Sequence, residues 1–182
     1  MYRISIFFAL IIWALLCCAC NSGDHTNKLA DELRMFMGTA IEFPDNMLIK
    51  GHDGQIPDTT LLHRPFKMVI YMDQKGCESC KLQALVPVHV FTLENRPHKN
   101  FGVVVILNPS HIESAEHFLE EMRFRQTVFY DLDGSFERLN LHLPKNERFR
   151  TFLLNEDNKV VLVGNPIRNA NLRKLYLEAL KR

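Results

Sequence analysis

Two cysteines three residues apart, Cys77 and Cys80, are the residues of this chain best suited to chemistry. A short apolar run, Lys67 to Met72, leads to a break at Asp73 to Gly76, and the cysteines then open a segment that reads as a helix. At a helix start, unpaired backbone N–H groups and the positive end of the helix dipole favour a thiolate on the first cysteine. The second lies one helical turn further on, within reach to close a disulfide. Two sulfurs so placed either exchange a disulfide for two thiols or hold a metal.

The other ligand types argue for the first. Of five cysteines, Cys17, Cys18 and Cys20 belong to the N-terminal segment, so Cys77 and Cys80 are the thiols of the remainder. A structural zinc site wants four Cys or His ligands. There is no second CxxC, and none of the eight histidines forms an HxxxH pair. His111 and His117 lie six apart on a predicted helix and face different ways. Copper(I) held by both thiolates and a histidine such as His142 is a further reading, since soft copper suits thiolates, but no histidine has diagnostic spacing. A peroxidase would usually carry a Thr or Ser shortly before its reactive cysteine, and Met72 to Gly76 has none. No metal and no cofactor beyond a redox-active Cys77–Cys80 disulfide is expected.

The N-terminus sets the compartment. Met1 to Cys20 has a short positive start at Arg3 and a continuous apolar run from Ile4 to Leu16, the pattern of an export signal. The run is short for a spanning helix, which needs about 20 apolar residues. It ends in cysteines after small residues and resembles a bacterial lipoprotein signal, in which the new N-terminal cysteine is acylated. Cys20, preceded by Ala19, is the preferred lipidation site; Cys18 is second, because Cys17 departs from the usual Leu three residues before Cys20. An uncleaved anchor is the alternative. Either places the rest of the chain outside the cytoplasm, lipid- or membrane-anchored in a bacterial cell envelope and facing the periplasm, where a lone CxxC reads as a disulfide that opens and closes.

The bulk numbers bound the remainder. The 182 residues are 47% apolar, enough for one domain of about 150 residues and an attachment segment. The net charge of +1 offers no basic stripe for nucleic acid. The division expected is a signal over 1–20, a linker and N-terminal helix over 21–44, and a domain over 45–182.

Patterning predicts a helix over Lys28–Met37, with Leu29, Leu33, Phe36 and Met37 on one side and Gly38 as its stop. A short strand is expected at Met47–Lys50, and His52 and Asp53 read as turn residues in a GHDG stretch. Met68–Met72 and Phe101–Leu107 are too apolar for half-exposed strands and belong at a sheet centre. The helix after Cys77 should carry Leu82, Leu85, Val86, His89, Val90 and Leu93 on its packed stripe and kink at Pro87. Ser110 to Glu113 forms a capping box before a helix whose Ile112, Ala115, Phe118, Leu119 and Met122 point inward. A strand at Thr127–Tyr130, a turn at Asp131–Gly134 and a short helix near Phe136–Leu141 follow. Arg150–Leu154 and Lys159–Val163 pair as a hairpin around Asn155–Asn158. A last helix carries Leu172, Leu175, Tyr176, Ala179 and Leu180 on one face.

Strands alternating with helices and then an antiparallel pair imply an α/β fold, a mixed sheet flanked by helices on both faces. This order, with CxxC after the first central strand, resembles the thioredoxin superfamily. The N-terminal cysteines, the VFYDLDG segment and the FLLNEDNKVVLVGNP hairpin resemble its envelope-anchored, redoxin-type branch, over roughly residues 45 to 182. The resemblance implies thiol–disulfide exchange, with Cys77 as nucleophile and Cys80 as resolving cysteine, a protein disulfide or thiol as substrate, and an envelope redox partner. A non-catalytic binding or scaffold lipoprotein on the same fold is the alternative.

Three departures shape the expectations. Gly76 stands where the family usually has Trp before the first cysteine, and Glu78-Ser79 replaces a neutral dipeptide. Arg150 takes the place of the cis-proline that faces the disulfide, so the Phe149–Arg150 bond should be trans and the groove around Glu78, Ser79, Phe149 and Arg150 should differ in shape. If Arg150 faces Cys77, its cation would favour the thiolate while Glu78 opposes it. The buried carboxylate of many relatives aligns near Tyr71, where no acid stands, and Asp73 reads instead as a cap of its own loop.

Overall fold

The computed structural model describes residues 22–95 and 98–181; the predicted export segment, with Cys17, Cys18 and Cys20, lies outside them. In chain order the elements are α1 (Ser22–Phe36), β1 (Leu48–Gly51), a 3-10 turn (Thr59–His63), β2 (Phe66–Met72), α2 (Glu78–Gln83), α3 (Val86–Asn95), β3 (Phe101–Leu107), α4 (Ile112–Glu121), β4 (Thr127–Tyr130), α5 (Ser135–Leu139), a 3-10 turn (Glu147–Phe149), β5 (Thr151–Leu154), β6 (Val160–Val163) and α6 (Ala170–Ala179). By its contacts the chain divides into one unit ending at Met35 and another from Phe36 to Arg182. No described helix is long and apolar enough to cross a membrane.

One six-stranded sheet, in the order β1-β4-β3-β2-β5-β6, organises the second unit. β2 runs parallel to β3, and β3 to β4, while β5 lies antiparallel to β2, β6 to β5 and β1 to β4. Successive side chains leave a strand on opposite faces. Met68, Ile70, Val103, Val105, Val128 and Leu153 therefore enter one core with Leu82, Leu85, Val88, Ala115, Leu119 and Tyr176 from the helices. Val69, Tyr71, Val104, Ile106, Phe129 and Phe152 enter the other with Phe36, Ile41 and Phe136. Both faces are covered, which is why β2 and β3 are near-continuous apolar runs. Each large side chain so buried contributes about 1.5–3 kcal/mol. The β6 edge is partly paired by residues before β1: Gly38 N–H donates to Val160 O (2.8 Å) and Val160 N–H to Thr39 O (3.0 Å).

Several elements differ from the sequence reading. α1 starts at Ser22 rather than Lys28. It ends before Gly38 (φ +79°) as expected, but Phe36 is buried while Met37 is exposed. β1 lies one residue later than predicted. The helix after the cysteines does not merely kink: it breaks into α2 and α3, because Pro87, second in α3, has no N–H to donate to a carbonyl of the preceding turn. The break resets the helical phase. Leu82, Leu85, Val88 and Phe91 are buried, whereas Val86, Val90 and Leu93 face solvent; His89 is half-buried, its Nδ1 3.1 Å from Gln126 Nε2. Ser110 does not cap α4; His111, in extended conformation, occupies the cap position without a side-chain bond. α5 ends at Leu139, leaving Leu141 exposed, and β5 begins at Thr151 rather than Arg150. On α6 the buried stripe centres on Tyr176 and Leu180, and Leu175 lies outside it.

Candidate functional site

β2 carries the chain up the sheet centre to Met72, whose carbonyl accepts from Asn108 N–H (2.8 Å). The chain then turns through Asp73 to Gly76. Asp73 Oδ1 accepts from Lys75 N–H (3.1 Å), and Gly76 holds φ at +81°, a left-handed value that glycine adopts without penalty. The turn delivers Cys77 as the N-cap of α2, in extended conformation, with its carbonyl accepting from Lys81 N–H (3.1 Å).

Cys77 and Cys80 form a disulfide, with Cα atoms 5.3 Å apart, and both residues are exposed. Cys80 N–H donates to Cys77 Sγ (3.3 Å), and Ser79 Oγ lies 3.5 Å from the same sulfur. In the reduced protein that sulfur would be a thiol or thiolate, and a backbone donor already aimed at it favours the anion. Glu78 turns carboxylate Oε1 into a small cleft with Leu82, Leu107, Asn108 and Pro109, where no donor among the described residues meets it.

Beneath the turn lies a charged cluster that the sequence reading did not assemble. Arg150 is 3% exposed. Its Nη1 donates to Asp73 Oδ2 (2.7 Å), Nη2 to Glu137 Oε1 (3.2 Å) and Nε to Pro144 O (2.8 Å), and its guanidinium lies 5.5 Å from the centre of the Tyr71 ring. The cation is thus directed to Asp73, Glu137 and Pro144 rather than to Cys77, and the Phe149–Arg150 bond is trans. Lys81 Nζ donates to Asp73 Oδ1 (2.6 Å) and pairs with Glu147 Oε1 (2.8 Å). Asp73 caps its loop as expected, but it is also a buried carboxylate between two cations. Burial pushes its pKa up; the Lys81 hydrogen bond and the charges of Arg150 and Lys81 outweigh this and hold it below the ordinary value. Burial likewise pushes Lys81 down, and Asp73 and Glu147 outweigh it, so Lys81 is held above its ordinary value.

A groove of ≈ 820 Å³ opens beside this cluster, bordered by Cys80, Phe149, Arg150, Thr151, Asn165 and Leu172 among others. Of the predicted residues, Phe149 and Arg150 reach the groove, and Cys80 is the cysteine that lines it; Cys77, Glu78 and Ser79 stand outside its lining. The sequence reading missed Lys81, Glu137 and Glu147, which no local spacing marks. It also missed the pairing of His52, read as a turn residue. His52 is buried, its Nε2 2.9 Å from Tyr130 Oη, and burial lowers its pKa despite Glu116 and Glu120.

The sequence matches no family model and no curated protein. Solved structures do match. A candidate thiol:disulfide interchange protein DsbE from Chlorobium tepidum superposes with a TM-score of 0.54 at 20% identity, over 80% of this chain and 97% of its own. PrxQ of Xylella fastidiosa, in a cysteine-to-serine variant, gives 0.53 at 12% identity, over 79% and 96%. A candidate thioredoxin from Neisseria meningitidis gives 0.52 at 16% identity, over 79% and 93%. At these identities the likeness is one of fold, and this chain has the thioredoxin-like fold.

Proposed function

We propose that the protein is a thiol–disulfide oxidoreductase working through Cys77 and Cys80. The observation that carries this is the exposed Cys77–Cys80 disulfide at the start of α2, with the Cys80 N–H directed at Cys77 Sγ. The fold neighbours include one described as a candidate thiol:disulfide interchange protein, which supports the same reading.

In the reductive direction, the Cys77 thiolate attacks one sulfur of a substrate disulfide. That S–S bond breaks, a mixed disulfide forms and one substrate thiolate leaves. The Cys80 thiolate then attacks Cys77 Sγ, the mixed disulfide breaks and the second substrate thiolate leaves. The substrate gains two electrons, and Cys77–Cys80 loses two. The reverse sequence oxidises a substrate dithiol. Sustained reduction needs an electron donor, for which an envelope redox protein is the natural class. Replacing Cys77 by Ser is expected to bring reduction of a small disulfide down to the uncatalysed rate; undiminished turnover overturns the assignment. A tether through an acylated Cys20, facing the periplasm, completes the proposal, and an unmodified Cys20 in the mass spectrum of the mature protein would remove that part.

A non-catalytic binding or scaffold role on the same fold is the second reading. Gly76 in place of Trp, and an Arg150 committed to the carboxylates of Asp73 and Glu137, favour it. A redox titration separates the two: a reversible potential in the oxidoreductase range supports exchange, and a pair that stays oxidised throughout supports the scaffold.

A further inference from the structure

We infer that the groove beside Cys80 selects substrate segments carrying carboxylate side chains near the reacting cysteine. This rests on the exchange activity proposed above and narrows its substrate class. Six charged side chains line the groove: Asp73, Lys81, Glu147, Arg148, Arg150 and Arg168. Four of them cancel within the wall. Asp73 pairs with Arg150 (2.7 Å) and with Lys81 (2.6 Å), and Lys81 pairs with Glu147 (2.8 Å). Arg148 and Arg168 are left over. Both are exposed, and neither guanidinium has a hydrogen-bond or ion-pair partner among the described residues. They come from two different loops, one before β5 and one before α6, and the first turn of α6 holds no acidic residue to offset Arg168.

The groove that Cys80 lines therefore presents two cations without a partner among the described residues, alongside the internally paired charges and neutral groups such as Phe149, Thr151, Asn165 and Leu172. A cation with no internal partner attracts an incoming carboxylate without first breaking a pair. A basic segment meets repulsion from both arginines and finds Glu147 already engaged. Exposed ion pairs are individually weak, each worth a factor of about 1.5 to 5 in affinity. Two acting on one segment give about a tenfold preference at low ionic strength, weakening as salt shortens the reach of each charge.

The test compares two peptides, each with one cysteine in a mixed disulfide with a chromophoric thiol and differing only in flanking Glu or Lys. The wild-type protein, first reduced with dithiothreitol and then freed of it, is expected to reduce the Glu peptide with a second-order rate constant about tenfold higher, the ratio falling in high salt and reversing in an Arg148→Glu/Arg168→Glu variant. Measurable but equal rates, or a preference for the Lys peptide, overturn the inference. A second measurement uses the oxidised wild-type protein and the same peptides with Ser in place of Cys, so that binding is read without exchange. Selective binding of the Glu peptide without reduction of either would sink the exchange proposal and keep the groove assignment. Equal binding with equal reduction would do the opposite.

Discussion

Arg150 separates this chain most sharply from a standard member of its fold, and its guanidinium is occupied on three sides by Asp73, Glu137 and Pro144. Removing one partner of a buried pair leaves the other uncompensated. Arg150→Met is therefore expected to lower stability by roughly 3 kcal/mol in urea denaturation. Asp73→Asn should cost less in that background than alone, with a coupling of about 1–3 kcal/mol in the double-mutant cycle. The pH dependence follows from Asp73, whose folded pKa lies below its ordinary 3.8. Its contribution is fully present above the unfolded value and is lost as pH falls through the folded one. Urea midpoints measured from pH 5 to pH 2 should drop more steeply for the wild type than for Asp73→Asn; parallel curves would show that the carboxylate is not the anchor described. Lys81 acts at the other end, its raised pKa contributing stability below the ordinary 10.5 that disappears as pH rises through the folded value.

Among the elements, the turn from β2 into α2 has the narrowest tolerance. A Cβ added at Gly76 would meet open space, with Lys81 Cε the nearest atom at 4.0 Å. The constraint is the left-handed backbone, which costs an L-residue about 1–2 kcal/mol. Gly76→Ala and Gly76→Trp should therefore destabilise by similar amounts of about 1–2 kcal/mol; a much larger loss for Trp would point to crowding instead. The same scale shows what could be read from one dimension. β2 and β3 were legible because strands buried on both faces are apolar without interruption, and the cysteine unit was legible because its signal is local. The packed stripe of α3 was not, because its phase depends on where the helix yields ahead of Pro87. The partners of Arg150 were not either: Asp73 lies 77 residues away in sequence and Glu137 lies 13 away. Composition hid His52, whose GHDG setting reads as a turn although its ring is bonded to Tyr130 in the interior.

For the whole molecule, the disulfide is a small part of what holds the fold. A bridge closing so short a loop restrains the unfolded chain by about 2 kcal/mol or less, whereas two apolar cores lie on the faces of the sheet. Reduction should therefore leave the far-ultraviolet circular dichroism unchanged and lower unfolding stability by no more than about 2 kcal/mol; collapse of the fold on reduction would make the bridge a structural staple. One consequence remains in the ion pairs beneath the cysteine turn. Lys81 travels with Cys80 on α2, Arg150 travels with the opposite lip, and Asp73 grips both. Both sides are thus anchored to one buried carboxylate through contacts that do not involve the sulfurs. Under the exchange proposed above, the same anchor would serve the oxidised and the reduced pair, and the direction of flow would follow from the reduction potential of Cys77–Cys80 against its surroundings.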